Sequence, residues 1–268
     1  MRPGRPRCAR MPMLIATLTV LAVAGAPAMA DALTADQQAT LDAAIDHAKR
    51  NGTALDGLIY TRERLVRKRN EDRRETVRVD RTKPLGEQQT LLSINGRPPT
   101  EEERAEHRET RRAIAAEAEE NGRALAAAAF DLAEVDLSDP RVMVDDGEAL
   151  TLRFPYAAGS LLGERFESIG RSLLLDATIG RDADAGPRFT RFAVFAPEPF
   201  RYRLLARITD FQADLRLAPL DGSSRLVPAS SRIEVTGFLF FRRIERDIIT
   251  RFRDYRPAVD DTPVVTGK

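Results

Sequence analysis

The sequence contains no tryptophan, one cysteine and two histidines. Cys8 precedes an N-terminal apolar run, so we expect no disulfide framework in the exported chain. His47 and His107 each stand alone on polar helical stretches, which argues against a zinc site or a nucleophile–base pair. Phosphate-binding loops, dinucleotide-binding glycine motifs and hydrolase elbows are also missing. These absences predict a protein that is not an enzyme and that needs no metal or cofactor.

The N-terminus has the pattern of a secretory signal peptide. The first ten residues carry four arginines and no acid, and Met13–Gly25 is an apolar run shorter than a bilayer span. Ala28 and Ala30 supply the small residues that signal peptidase requires. No Arg-Arg pair precedes the run, so we expect the general secretion route. The prediction is a cleaved segment at 1–30 and a periplasmic protein.

Composition and charge narrow the partner class. The whole chain is 43% hydrophobic and 31% charged, as in ordinary globular domains. Without residues 1–30, 38 basic residues face 41 acidic ones, a formal charge of −3. An exported, slightly acidic chain is not expected to bind nucleic acid.

Hydrophobic periodicity predicts an α+β fold with a large, curved antiparallel sheet. Residues 33–50 have helical spacing, and 58–66, 73–80 and 90–94 alternate as strands. From 149 to 256 the period is two almost throughout, with apolar residues on one face and arginines on the other. We expect about ten strands in an unclosed half-barrel over 31–256, covered by a few helices, with a loose tail at 257–268. The further strands are predicted at 149–154, 171–180, 188–196, 199–209, 211–219, 230–243 and 246–255.

A helical insertion is predicted at about 99–135. Asn95-Gly96 is a hairpin signal, but Pro98-Pro99 cannot begin a paired strand. Thr100 and Glu103 have capping-box spacing, so the turn should lead off the sheet into a charged helix. A second helix is expected at 122–135. The charged helix has little apolar surface, so we expect it either to lie exposed or to act as a lightly held lid.

The order TLLSINGRPPTEEE, LTLRF, RFESIGRSLLLDATIG, LVP and FRDYR resembles a group of proteobacterial periplasmic proteins. Their layout is similar to the lipoprotein-carrier (LolA/LolB-like) half-barrels. The resemblance implies an unclosed barrel wrapped over helices, with an apolar cavity for acyl chains. It supplies no ligand residue that can be assigned here by motif.

Two functions follow as alternatives. The first is a periplasmic carrier that shelters a lipid or lipoprotein acyl chain among aromatic and aliphatic side chains. Its candidate cavity residues are Tyr60, Phe154, Phe192, Val194, Tyr202, Leu204, Phe211, Phe238, Phe240 and Phe252. Ordinary core packing would explain the same residues. The second is an envelope interaction or assembly factor whose core is filled by its own side chains.

A basic run on the first hairpin is the candidate contact for a protein partner or for anionic lipid. Its members are Arg62, Arg64, Arg67 and Arg73. The acids interspersed among them fit equally well with the solvated face of a hairpin.

Overall fold

The computed structural model describes residues 32–51, 55–68, 71–120, 137, 139–156, 173–202, 206–221, 223–240 and 242–258. Within these residues, two α-helices, α1 (Ala35–Asn51) and α2 (Glu101–Glu120), and one 3-10 turn (Leu85–Glu87) accompany a sheet. The strands are β1 (Leu58–Lys68), β2 (Glu71–Asp80), β3 (Gln89–Ile94), β4 (Arg141–Asp145), β5 (Ala149–Pro155), β6 (Leu174–Asp182), β7 (Gly186–Phe195), β8 (Phe200–Tyr202), β9 (Ala206–Pro219), β10 (Leu226–Leu239) and β11 (Arg242–Pro257).

All strand pairs are antiparallel and belong to a single sheet. The order is β3-β2-β1-β11-β10-β9-β7-β6-β5-β4, with β8 paired to the start of β9. β3 and β4 are the two edges, so the sheet is unclosed, and the predicted α+β half-barrel is confirmed. Because the last strand lies beside the first, the two halves of the chain close on each other at the β1–β11 pair.

α1 lies on the face of the sheet that we call the inner face, where it packs on β6 and β7. A capping box begins the helix: Gln37 N–H donates to Thr34 Oγ1 (3.3 Å), and Thr34 N–H donates to Gln37 Oε1 (3.0 Å). Leu41, Ala44 and Ala48 are buried, and they lie at the spacing of one helix face. α1 thus seals the core over one half of the sheet.

α2 begins directly after the turn at Asn95-Gly96. Both turn residues have positive φ (50° and 81°), and Ile94 and Arg97 exchange two backbone hydrogen bonds of 3.0 and 3.1 Å. The hairpin therefore has only one hydrogen-bonded residue pair, Ile94 with Arg97, and from Pro98 onward the chain leaves the sheet. The capping box is present, since Thr100 N–H donates to Glu103 (2.8 Å) and Glu103 N–H to Thr100 Oγ1 (3.2 Å). The predicted exit from strand to helix is confirmed.

The structure differs from the sequence prediction in two places, and three predicted segments lie outside the described residues. Residues 141–145 form β4, a strand that the alternation pattern did not predict. Asp210 does not break a strand, because β9 runs continuously from 206 to 219 with that side chain exposed. The predicted helix at 122–135 lies outside the described residues, as do most of the tail and the signal segment with Ala28 and Ala30. Among the described residues, no helix is long and apolar enough to span a bilayer.

Candidate functional site

A continuous row of apolar side chains crosses the inner face of seven strands. Each member lies opposite the next in strand register, so the row runs perpendicular to the strands. The members of this inner apolar row are Phe154, Leu175, Val194, Ala213, Ile233, Ile248 and Val66. Register, rather than closeness in sequence, brings them together.

The cover over the row changes along its length. Phe154 and Leu175 are completely buried and Val194 is 9% exposed, because they belong to the core beneath α1. Ile233, three strands from β6, is 36% exposed, and Ile248 and Val66 are half-buried. We call Ala213, Ile233, Ile248 and Val66 the open half of the row. It lies between α1, which packs on β6 and β7, and α2, which packs on the 3-10 turn and β3.

The predicted cavity residues fall in three environments. Phe154, Phe192 and Val194 are packed beneath α1, where the rings of Phe189 and Phe192 are 5.1 Å apart. Phe211 is half-buried. It lies two residues before Ala213 on β9, on the same face of the sheet, and opposite Val235 on β10. The side chain of Tyr202 and the whole of Leu204 lie outside the described residues.

Tyr60 and Phe252 belong to a second packed cluster on β1 and β11. The Tyr60 ring lies 6.1 Å from that of Phe252 and 5.0 Å from that of Tyr255. The Tyr255 hydroxyl donates to the carbonyl of Pro228 (2.8 Å), and burial raises the pKa of Tyr255. These candidates therefore fill the sheet's own interior at this end, as core packing would require.

Phe238 and Phe240 lie at the exposed tip of the β10–β11 hairpin. Phe238 is 44% exposed, Leu239 42% and Phe240 59%, and Phe240 has a positive φ of 49°. Register places Phe238 beside two arginines, Arg207 on β9 and Arg243 on β11. The tip thus combines exposed large apolar side chains with neighbouring positive charge.

The four candidate partner-contact arginines divide between the two faces of the sheet. Arg67 is on the outer face, where it lies 3.8 Å from Asp72 and 3.6 Å from Asp247. Arg62, Arg64 and Arg73 alternate with it and therefore point to the inner face, toward α2. The predicted basic run is consequently not a single solvated face.

Beneath α2 the positive charges are crowded. Burial, and after it the charge of Arg111, lower the pKa of Arg62 to about 10. Burial also lowers the pKa of His107, again with a contribution from Arg111. The carboxylate of Glu75 raises the pKa values of His107 and Arg111 and so partly offsets the crowded positive charge. Arg62 donates a hydrogen bond to Gln89 Oε1 at 2.7 Å. Sequence reasoning missed this cluster, because His107 and Arg111 meet Arg62 only through packing.

The outer face is neutralised by its own ion pairs. Arg153 makes two hydrogen bonds to Asp176 (2.7 and 2.8 Å), and Arg232 makes two to Asp247 (3.0 and 3.1 Å). Arg191 pairs with Asp214 in the same way across β7 and β9. The arginines that sequence alternation places on this face are therefore largely matched within the sheet, which weakens the case for a basic partner surface there.

Comparisons with known proteins add no assignment: no family model, curated protein or solved structure matches this chain. Within the residues described, no group of three or more His, Cys, Asp or Glu side chains is arranged to hold a metal ion. The open half of the inner apolar row, the hairpin tip and the cationic cluster beneath α2 are thus the features from which a function can be argued.

Proposed function

We propose that the protein is an exported, non-enzymatic binding or carrier protein for an apolar chain, such as the acyl chain of a lipid or lipoprotein, and that it works in the periplasm. The proposal is carried by the open half of the inner apolar row. The same row is a sealed core beneath α1 and becomes partly solvent-exposed at Ile233. An acyl chain lying along Ala213, Ile233, Ile248 and Val66 would extend the core without displacing any packed side chain.

The driving force is burial of hydrocarbon. Each methylene removed from water contributes about 0.8 kcal/mol, so half-burial of a 16-carbon chain contributes on the order of 6 kcal/mol. The exposed apolar area of the protein adds to this. Association costs offset part of the gain, which places the expected affinity in the micromolar range. A weak, reversible complex of this kind suits a protein that takes up and releases its ligand.

The hairpin tip supports exchange with a membrane. Exposed aromatic and aliphatic side chains insert into the interfacial region of a bilayer, and arginines beside them are attracted to anionic head groups. Phe238, Leu239 and Phe240 with Arg207 and Arg243 satisfy both requirements. We assign these two phenylalanines to membrane contact rather than to the wall of a binding site.

Two adjacent isoleucines on β11 provide a matched test of this proposal, because they lie on the same strand but point to opposite faces of the sheet. Ile248 is on the inner row, whereas Ile249 is on the outer face beside Arg232 and Arg251; both are half-buried. We expect Ile248→Glu to weaken binding of a fluorescent fatty acid at least tenfold, because the chain would have to desolvate a carboxylate. Ile249→Glu should change the affinity less than twofold.

Circular dichroism and urea midpoints would establish that both variants fold. Lipid extraction of protein purified from the periplasm should recover acyl lipid from wild type and the Ile249 variant, and much less from the Ile248 variant. Equal binding by both variants, or no binding by folded wild-type protein, would refute the assignment.

The exposed edge strand β4 favours the second function, partner binding by strand addition. Val142, Met143 and Val144 are 38%, 44% and 51% exposed. An unprotected apolar edge is a template for another strand. A Val144→Lys variant should lose a partner captured by cross-linking in the periplasm, while its fatty-acid affinity stays unchanged. If the Val144→Lys variant still captured the partner as well as wild type does, the edge would be excluded as an interface.

A further inference from the structure

A cavity of about 370 Å³ lies between α2, the 3-10 turn and β3. Four cations line it, Lys83, Arg104, Arg108 and Arg112, against the single carboxylate of Glu87. His107 forms part of the same wall. Arg104 is ion-paired with Glu101, and Lys83 lies 3.8 Å from Asp80. Arg108 and Arg112 follow Arg104 at one-turn intervals on α2 and face the cavity together. The lining therefore has an excess of positive charge.

A second layer of donors lies behind this wall. The Nε atoms of Arg62 and Arg111 and Nε2 of His107 are buried, and no acceptor in the described part of the chain reaches them. Gln89 connects the two layers, since it lines the cavity and accepts a hydrogen bond from Arg62. Unpaired buried donors and like charges held together both oppose folding. A bound anion would offset this repulsion, and it would accept a hydrogen bond from His107, which lines the cavity, when Nε2 of the ring carries the proton.

We propose that this cavity is a binding site for a phosphate group. A carboxylate carries one negative charge in a plane, whereas a phosphate presents three or four oxygens and up to two charges to donors on several sides. Donors here come from α2, from Lys83 just before the 3-10 turn and, through Gln89, from the sheet. The volume accommodates phosphate with a small substituent such as glycerol. The site is lined by none of the residues of the inner apolar row, so it stands independently of the acyl-chain proposal.

Two variants matched in charge test the site. Arg108→Gln/Arg112→Gln removes two lining cations, and Arg141→Gln/Arg256→Gln removes two exposed arginines elsewhere in the sheet. Inorganic phosphate and glycerol 3-phosphate are titrated against tag-free protein by calorimetry, with chloride at equal ionic strength as the reference. Proton NMR of the two histidines gives an independent readout, because His107 lines the site whereas His47 is buried on α1, away from it.

We expect saturable binding that weakens at least tenfold in the Arg108/Arg112 variant and less than twofold in the control. The His107 resonance should shift with phosphate and that of His47 should not. Equal weakening in both variants, equal shifts of both histidines, or no saturable binding to folded protein would overturn the proposal.

Vesicles distinguish the source of the phosphate. Comparable binding of inorganic phosphate and glycerol 3-phosphate assigns the site to a free anion. Preference for glycerol 3-phosphate, with competition by phosphatidylglycerol vesicles but not by phosphatidylcholine vesicles, assigns it to a lipid head group. Either result supports the site, because the fatty-acid affinity of the Arg108/Arg112 variant reports separately on the apolar row.

Discussion

Replacing Arg62 by methionine should stabilise the protein in phosphate-free buffer. The pKa of this guanidinium falls from 12.5 to about 10 in the folded state, which corresponds to an unfavourable interaction of about 3 kcal/mol for the charged form. The group remains charged at neutral pH, so the folded state bears this cost at pH 7. Methionine is unbranched, fills a similar volume and removes both the desolvation and the repulsion from Arg111.

The substitution also removes the 2.7 Å hydrogen bond from Arg62 to Gln89. A hydrogen bond from a charged donor contributes about 1.5–3 kcal/mol, so the two effects partly cancel. We expect Arg62→Met to raise the free energy of unfolding by about 1 kcal/mol. Arg78→Met, on the exposed face of the neighbouring strand, should stay within about 0.5 kcal/mol of wild type.

Urea unfolding followed by far-UV circular dichroism is the appropriate assay, because the chain has no tryptophan to report by fluorescence. Added phosphate should raise the free energy of unfolding of wild type more than that of the Arg62 variant. A ligand stabilises a protein by binding its folded state, and the variant has lost one of the positive charges that favour phosphate binding. Destabilisation of Arg62→Met by more than about 1 kcal/mol would show that the buried guanidinium supports the fold, and would refute the reasoning.

Three further predictions concern stability. Gly237→Ala should lower the free energy of unfolding in urea by about 1–3 kcal/mol, because the added Cβ would lie 2.5 Å from Arg207 O. Gly86→Ala is the control and should leave the stability unchanged, because the nearest atoms there are 3.5 Å away. Thr100→Ala should cost about 1 kcal/mol by loss of the cap, whereas Thr110→Ala within α2 should cost nothing. Burial and adjacent arginines lower the pKa values of His47 and His107. The folded state then binds fewer protons than the unfolded state, so stability should fall as pH drops below 6.5; His47→Gln/His107→Gln should flatten this slope.

Local patterns were sufficient to predict most of the sheet. Alternation in β1, β2, β9 and β11 is regular because each strand has an inner face that is richer in apolar side chains than its charged outer face, and the Thr100–Glu103 spacing specified where α2 begins. The β4 strand could not be predicted in this way, because all its side chains are exposed and no burial pattern marks it. The supposed break at Asp210 failed for a related reason: a charged residue on the outer face is compatible with a continuous strand.

The functional features depend on register, which local sequence does not contain. Val66 and Ile248 are 182 positions apart and become neighbours only when β11 pairs with β1. The aromatic candidates were chosen by residue type, and the structure shows that Phe154 and Phe192 are sealed while Phe240 is at an exposed tip. The cationic cluster likewise requires α2 to fold back onto the 3-10 turn and β3, and nothing in the spacing of His107 and Arg111 predicts that packing.

The most direct test of the central proposal is to locate a bound acyl chain on the sheet. A fatty acid with a photoreactive diazirine near its methyl end would be bound, irradiated and mapped by peptide mass spectrometry. The proposal predicts adducts on Val66, Ile233 or Ile248, competed by unlabelled fatty acid and lost in Ile248→Glu. Saturable adducts confined to the outer face around Ile249, or to the exposed edge strand β4, would contradict it.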